Sequence, residues 1–335
     1  MMLPVYTHPT LTVLIDDSDS FLKSLAFQLD PALARKTFHD TSTALRWLRH
    51  SSPRGETPLH VNFDTQNLPP DQYNVALDLE RIWRISSQAQ RFATPSVLVI
   101  DYSMPQMNGL EFCQAVRDLP CKKILFTGAA DEKVAVTAFN RGLIDRYIKK
   151  SDDDALDILE HEIVGLQREF FLQQSDTVRD LLLLHDYHFL QDEAMAAVVS
   201  ELCHRHGFVE HYIFPNPGGI LFFTRDGQAR LMIIETEHSL HTQYEMARDS
   251  DAPDSLLRAL LEKRVIPYFS DAHGDGMYAR SIGENWFRYC AAPTVCVGRE
   301  TYYWALFEVP AHQLGQPVVP YAQFLRAQAQ ESLAA

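Results

Sequence analysis

The stretch VLVIDYSMPQMNGLEF, residues 97–112, decides the fold. Its first four residues, 97–100, are apolar and largely β-branched without alternation, which is typical of a central strand in a parallel sheet whose two faces are covered by helices. Asp101 follows at the carboxyl end of that strand, the edge at which open α/β sheets bind ligands. Pro105 and Gly109 favour a tight loop before a helix. Asp101 is therefore either a loop residue that caps this helix or a functional carboxylate.

Other strand patterns in the first half of the chain also end in polar or charged residues. They are LTVLIDD (11–17), KKILFTG (122–128) and RYIKK (146–150), and helical patterns at 109–118 and 131–141 separate the later ones. The alternation of strand and helix predicts parallel pairing with right-handed crossovers. All the carboxyl ends would then meet at one edge of the sheet.

This edge would gather the groups needed to handle a phosphoryl group. Asp16, Asp17 and Asp101 would repel one another there unless a cation neutralised them. Mg²⁺ prefers a few carboxylates and water, and a nearby lysine would add a second positive charge. The hydroxyl of Thr127 can donate a hydrogen bond to a phosphoryl oxygen. Asp101 stands alone on its strand, so it is the candidate to accept the group.

These residues resemble the receiver domain of two-component response regulators. The matching motifs, each closing a predicted strand, are IDD (15–17), VIDYSMPQMNGLEF (99–112), ILFTG (124–128) and YIKK (147–150). The resemblance covers roughly residues 10–165. It implies a doubly wound α/β domain with a flavodoxin-like parallel sheet of five strands, which we assign to residues 1–165.

The resemblance also implies a role for each matching acidic residue. Asp101 would be the phosphoacceptor. Asp17 would bind Mg²⁺ directly and Asp16 would bind it through water. Asp101 and the main-chain carbonyl of Ser103 would complete the protein ligands of the metal.

The remaining matches imply residues that bind the phosphoryl group and residues that change conformation when it is attached. Thr127, followed by Gly128, would contact the phosphoryl group, and Tyr147 would be the aromatic residue that responds to phosphorylation. Two lysines compete for the phosphate-binding position. Spacing from Tyr147 favours Lys150, which we choose, whereas spacing from the preceding glycine favours Lys149. The proline that normally follows this lysine is missing.

The first half is longer than a typical receiver. Asp17 and Asp101 lie 84 positions apart, about twice the usual interval, and the excess falls at about 50–92. Insertions in compact domains are often functional. This one is either a surface loop with a lengthened helix or an element that carries Trp83 for docking to a partner.

The second half predicts a helical junction followed by an α+β domain. Residues 152–186 are helical in pattern with a break near Ser175, and their apolar stripe serves either intramolecular packing or a dimer seam. Residues 187–335 would form an output domain with antiparallel strands. Its signals are a hairpin turn at Asp226–Gly227, a helix at about 240–262 and a strand in YYWALFEVP. No catalytic motif is present in it, so we expect an output that is not an enzyme.

Two further motifs resemble the orphan regulators of α-hydroxyketone quorum sensing. They are AFNRGLIDRYIKK (138–150) and GGILFFTRDG (218–227). This resemblance implies a regulatory output of the protein in quorum sensing.

Composition limits the classes of partner and the cellular compartment that we expect for this protein. The chain has 335 residues, enough for two domains, and a formal net charge of −14, which argues against a broad nucleic-acid-binding surface. It has no membrane-length apolar run, no signal peptide and no paired cysteine framework, so we expect a cytoplasmic protein with reduced thiols. The expected partners are a sensor histidine kinase or phosphotransfer protein and a second copy in a phosphorylation-dependent homodimer. The alternative is a phosphorylation-controlled regulator that binds nucleic acid.

Overall fold

A computed structural model describes residues 2–51, 59–62, 74–128, 132–184, 187–269 and 276–334. The strands in these ranges are β1 (Tyr6–Thr7), β2 (Leu11–Ile15), β3 (Arg35–Phe38), β4 (Leu59–Asn62), β5 (Asn74–Leu77), β6 (Pro95–Ile100), β7 (Lys122–Thr127), β8 (Arg146–Lys149), β9 (Phe208–Phe214), β10 (Gly219–Thr224), β11 (Ala229–Glu235), β12 (Ile266–Pro267), β13 (Cys290–Ala291), β14 (Thr294–Val297) and β15 (Thr301–Val309). The α-helices are α1 (Asp19–Gln28), α2 (Thr41–Ser51), α3 (Glu80–Arg84), α4 (Gly109–Ala115), α5 (Glu132–Asn140), α6 (Ala155–Gln174), α7 (Asp176–Leu182), α8 (Glu193–His206), α9 (Glu237–Asp249), α10 (Asp254–Leu261) and α11 (Tyr321–Ala334).

The chain divides into two compact units, and neither is a single stretch of sequence. The parallel-sheet unit contains His8–Glu56, Ala89–Gln174 and Phe324–Ala335. The antiparallel-sheet unit contains Met1–Thr7, Thr57–Gln88 and Ser175–Gln323.

The parallel-sheet unit has five strands in the order β3-β2-β6-β7-β8, all paired in parallel. Alternate residues of the central strands enter two different apolar clusters. Val13 and Leu98 pack with residues of α2, α4 and α5, whereas Leu14 and Val97 pack with residues of α1 and α6. Helices therefore cover both faces, which explains why β2 and β6 are apolar without alternation. The predicted doubly wound α/β fold is confirmed.

The loop after β6 settles which residue caps α4. The Asn108 side chain accepts hydrogen bonds from the N–H groups of Leu110 and Glu111, and the Glu111 carboxylate accepts one from the N–H of Asn108. This reciprocal arrangement is a capping box. Asp101 therefore does not cap the helix.

The antiparallel-sheet unit is built on six strands in the order β1-β9-β10-β11-β15-β14. The β10–β11 hairpin turns at the predicted Asp226–Gly227 pair, where Gly227 has a φ of 82° and its N–H donates to the Thr224 carbonyl. The strand predicted in YYWALFEVP is β15, which pairs with β11. The predicted α+β domain with antiparallel strands is confirmed.

The single helix predicted over 240–262 is wrong, because this region forms two helices. Helix α9 ends at Asp249 and α10 begins at Asp254. Between them, Asp251 adopts a φ of 53°, and Pro253 precedes α10. Proline has no N–H to donate to the preceding turn, so a continuous helix is disfavoured there.

The segment predicted as a receiver insertion is grouped with the antiparallel-sheet unit from residue 57 to residue 88. Its residues 52–58 and 63–73 lie outside those that the structure describes. In the described part, β4 pairs with β5, and α3 buries Ile82 and Trp83 in the main core of this unit. The Trp83 ring centroid lies 5.7 Å from that of Phe214, and the residue is only 8% exposed. The expectation that Trp83 docks a partner is therefore corrected, since the core already occupies its side chain.

The chain termini also fall outside the ranges expected from the sequence. Strand β1 pairs with β9, with Tyr6 opposite Tyr212, so this strand forms one edge of the antiparallel sheet. At the other end, the Phe324 ring lies 5.5 Å from Phe92, within the parallel-sheet unit. The expected boundaries of 1–165 and 187–335 thus differ from the two units, because contacts distant in sequence hold both ends of the chain.

The helical junction is interrupted at Ser175, between α6 and α7. Leu159, Ile163 and Leu166 of α6 are fully buried against the parallel sheet. This stripe, for which the sequence left packing and a dimer seam open, is therefore used within its own unit.

We expect Trp83→Ala to lower the free energy of unfolding by about 3–5 kcal/mol, because it leaves a large cavity in the core of the antiparallel-sheet unit. Urea denaturation followed by circular dichroism measures the effect. Arg84→Ala is the control on the same helix, since it removes only an exposed ion pair with Glu80, worth about 0–1 kcal/mol. Equal midpoints for the two variants would contradict the assignment of Trp83 to the core.

Candidate functional site

The candidate site lies at the carboxyl edge of the parallel sheet. Asp16 follows β2, Asp101 follows β6, Thr127 ends β7, and Lys150 follows β8. Neighbouring strands are in parallel register up to this edge, with Ile15 opposite Ile100, so the residues that follow them come out side by side. Topology therefore brings together residues that lie far apart in sequence.

The ammonium group of Lys150 joins the two buried carboxylates of this edge. Its Nζ donates hydrogen bonds to Asp16 Oδ2 at 2.5 Å and to Asp101 Oδ1 at 2.7 Å. The side chains of Asp16 and Asp101 are 6% and 8% exposed, against 21% for Lys150. Two carboxylates this deeply buried would repel each other, and a shared cation removes most of that cost.

The second oxygen of each carboxylate is held by the main chain. Asp16 Oδ1 accepts a hydrogen bond from the N–H of Ser18 at 2.9 Å, and Asp101 Oδ2 accepts one from the N–H of Ser103 at 2.6 Å. Each aspartate thus places one oxygen on Lys150 and the other on the amide two residues later. Both carboxylates are oriented by the loops that leave their strands.

The geometry distinguishes the two candidate lysines. Lys149 ends β8 in register with Thr127, and Lys150 is the residue whose Nζ reaches Asp16 and Asp101. Successive residues of a strand point to opposite faces of the sheet, so the two lysines diverge. The contacts of the structure favour Lys150 over Lys149.

Two aromatic rings lie beside the Lys150 ammonium. Its Nζ is 4.1 Å from the Phe21 ring centroid and 5.9 Å from that of Phe126. A cation over an aromatic face gains electrostatic attraction. No pattern in the sequence links Phe21 of α1 to the residue after β8, so sequence reasoning did not find this contact.

The other predicted site residues lie along the same edge with different exposure. Thr127 is buried, Gly128 is exposed, and Tyr147 is half-buried against the cluster that includes α4 and α5. Asp17 and Ser103 are exposed. Two of the three carboxylates at this edge, Asp16 and Asp101, are therefore buried, and the third, Asp17, is exposed.

The donors at this edge have the chemistry of a magnesium site. Asp16, Asp17, Asp101 and the main-chain carbonyl of Ser103 offer only oxygen atoms, the ligands that Mg²⁺ prefers. Among the residues that the structure describes, no three His, Cys, Asp or Glu side chains are grouped as a preformed metal site. The oxygen ligands at this edge are therefore of the type that Mg²⁺ prefers. In the structure, the two buried carboxylates contact the Lys150 ammonium group.

Gly109 lets α4 start directly against the site. A Cβ atom at this position would lie 2.3 Å from the Asp101 carbonyl oxygen and 3.0 Å from a Leu125 methyl group. The N–H of Gly109 also donates to the Tyr102 carbonyl at 2.9 Å. The sequence marked this glycine as a turn residue, and the structure adds a steric requirement for it.

Comparison with known proteins gives two kinds of match. The family model for the response regulator receiver domain matches residues 71–159. The Legionella pneumophila response regulator LqsR is similar along nearly its whole length, with 31% identity, a TM-score of 0.77, and coverage of 96% of this chain and 95% of that one. No curated protein matches the sequence.

Shorter structural matches cover about half of the chain. The receiver domain of the Francisella response regulator 1452 is 13% identical, with a TM-score of 0.32 over 48% of this chain and 98% of that one. A response regulator receiver domain protein from Methanospirillum hungatei is 18% identical, with a TM-score of 0.31 over 48% of this chain and 98% of its own.

No helix in the described ranges is both long enough and apolar enough to cross a membrane.

We expect Gly109→Ala to destabilise the parallel-sheet unit by about 1–3 kcal/mol, because the added methyl group must displace main chain beside Asp101. Thermal denaturation checks this. Gly165→Ala, within α6 and with open space around it, is the matched control and should raise stability by about 0.5–1 kcal/mol. The steric account fails if both substitutions shift the melting temperature in the same direction.

Proposed function

Since the chain belongs to the response-regulator family, we propose that it is the phosphoryl-accepting component of a two-component phosphorelay, with Asp101 as the phosphoacceptor. The donor is a sensor histidine kinase or a phosphotransfer protein. The bridge from Lys150 to Asp16 and Asp101 is the observation that carries this proposal, because it places a positive charge beside the candidate nucleophile.

The proposed reaction transfers a phosphoryl group from a histidine of the donor protein to Asp101. An Asp101 carboxylate oxygen forms a bond to phosphorus, the phosphorus–nitrogen bond to the donor histidine breaks, and the leaving imidazole keeps the electron pair. The acceptor must be oriented, and the contacts to Lys150 and to the Ser103 amide hold its two oxygens in place. The ammonium group of Lys150 then attracts the oxygens of the incoming phosphoryl group.

Magnesium is the expected cofactor. Asp16, Asp17, Asp101 and the Ser103 carbonyl would hold it at the exposed side of the sheet edge. When bound, the ion supplies positive charge that offsets the negative charge of the transferring group.

Phosphorylation would switch the edge by rearranging its ion pairs. A phosphoryl group adds close to two negative charges at neutral pH, and Lys150 must then divide its contacts between that group and Asp16. Thr127 would donate its hydroxyl to the new oxygens, and Tyr147 would change its packing. A change of this kind biases one conformation of the receiver over another.

We propose that the output of the phosphorylated protein is regulatory rather than catalytic and that it acts in the cytoplasm. We assign the antiparallel-sheet unit to binding of a protein, a ligand or a second copy of the chain, controlled by Asp101. The motifs shared with α-hydroxyketone regulators, together with the similarity to LqsR, support a role in quorum sensing. The net charge of −14 opposes the alternative of a nucleic-acid-binding output.

A phosphorylation assay tests the roles of the acceptor and the lysine. Incubation with acetyl phosphate and Mg²⁺, followed by intact-mass analysis, should show one added phosphoryl group in the wild type and none in Asp101→Asn. Lys150→Met should react at least about tenfold more slowly, because it removes the charge that stabilises the transferring group. Lys149→Met is the matched control and should react at close to the wild-type rate. Labelling of Asp101→Asn would remove Asp101 from its role, and a slower Lys149→Met with a normal Lys150→Met would exchange the two lysines.

Size-exclusion chromatography with light scattering tests the switch itself. With Mg²⁺, beryllofluoride should change the mass or hydrodynamic size of the wild type, because it mimics the phosphoryl group on Asp101. Asp101→Ala should show no change under the same conditions. An unchanged wild type that remains folded would contradict control of assembly or shape by this site.

A further inference from the structure

The antiparallel-sheet unit contains a cavity of about 550 Å³ that the proposed phosphorylation does not use. It lies where β11 ends and α9 begins, beside the loop that carries Pro217. This volume is within the range of about 300–1,000 Å³ that is typical of small-molecule sites. All the described residues that line it belong to this one unit.

The cavity has a buried floor and an exposed rim. Phe189, Ile234 and Pro267 are buried and apolar, and Glu235 is buried among the lining residues at 6% exposure. Polar side chains such as that of Asn216 lie at the exposed rim. An apolar floor with one carboxyl group suits a ligand that has an apolar body and one strongly polar group.

Glu235 is the group that defines the chemistry. Burial raises the pKa of this carboxyl group, and the hydrogen bond to the Ser239 side chain only partly opposes the shift. No lysine or arginine is present among the described lining residues. Two histidines, His188 and His238, also line the cavity, but none of its described lining residues carries a permanent positive charge. A buried carboxylate is costly without a cation, so a cationic ligand would gain by pairing with it.

Other ligand classes fit less well. The first turn of α9 would attract an anion, but Thr236 and Ser239 already form a capping box there, and Glu300 adds a second carboxyl group to the lining. A metal ion needs several converging ligands, and the described residues contain no such group of three.

We propose that this cavity binds a small organic cation, an amine, amidine or guanidine on an apolar body, whose charged group pairs with Glu235. The apolar part of the ligand packs on Phe189, Ile234 and Pro267. The antiparallel-sheet unit then responds to a soluble ligand as well as to the receiver. This site is independent of the chemistry at Asp101.

Three probes of similar shape but different charge test the proposal on the 335-residue chain. Benzamidine is cationic, benzamide is neutral and benzoate is anionic, and isothermal titration calorimetry measures all three. Benzamidine should bind with a dissociation constant on the order of 1 mM or below. Benzamide and benzoate should each bind at least about tenfold more weakly, because neither pairs with a carboxylate as a bidentate cation.

Two matched variants locate the binding. Glu235→Gln keeps the size of the side chain and should weaken benzamidine binding at least about tenfold. Glu237→Gln, two residues along, removes an exposed carboxylate that pairs with Lys263 outside the cavity, and should leave binding unchanged. Circular dichroism checks that both variants fold. If Glu235→Gln does not fold, the order of affinities of the three probes for the wild type still tests the proposal.

The proposal is overturned if benzamidine does not bind at about 10 mM, if benzoate binds as tightly, or if a folded Glu235→Gln retains wild-type affinity. No phosphodonor is present in these titrations. Their failure would therefore leave the phosphorylation proposal intact, and a failure of phosphorylation would leave this one intact.

Discussion

The contact of one ammonium group with two buried carboxylates is the constraint on which the parallel-sheet unit depends. Asp16 and Asp101 emerge from adjacent strands and are almost wholly shielded from water. Without Lys150, their mutual repulsion would oppose the packing of β2 against β6. The same arrangement holds Asp101, the proposed phosphoacceptor, in place, so under the proposed function the lysine that stabilises the edge would also assist its chemistry.

The loops around this edge serve the same geometry by different means. Amides of Ser18 and Ser103 orient the carboxylates, Asn108 starts α4, and Gly109 allows that helix to begin against the Asp101 main chain. None of these contacts uses a long side chain with many rotamers. These loop contacts therefore cost little side-chain conformational entropy, whereas the contact from Lys150 orders a long side chain.

The antiparallel-sheet unit shows why a domain is not always a range of residue numbers. A strand from residues 6–7, a helix that carries Trp83 and a sheet from the second half form one apolar core. The segment with Trp83 resembles an insertion only when the chain is considered as a receiver. Considered by its contacts, it is part of the unit that follows, because its apolar residues are buried there.

The sequence by itself determined the parallel-sheet fold and most of its candidate site. Short, largely apolar strands that end in Asp16, Asp101 and Thr127 and alternate with helical patterns are typical of a parallel sheet covered by helices on both faces. The hairpin at Gly227 was also predictable, because its turn favours a positive φ that glycine adopts without strain. These features are local or periodic, so a single sequence carries them.

Only the tertiary structure decided the features that depend on contacts between distant segments. The sequence motif does not distinguish Lys149 from Lys150. The path of the chain at the end of β8 brings the Lys150 ammonium group to Asp16 and Asp101. Phe21 is 129 positions from the lysine it contacts, and Glu235 becomes distinctive only because the fold buries it in a cavity whose described lining holds no lysine or arginine. Burial and charge pairing depend on all the segments that surround a residue, and for that reason the fold, not the local pattern, assigned these residues their environments.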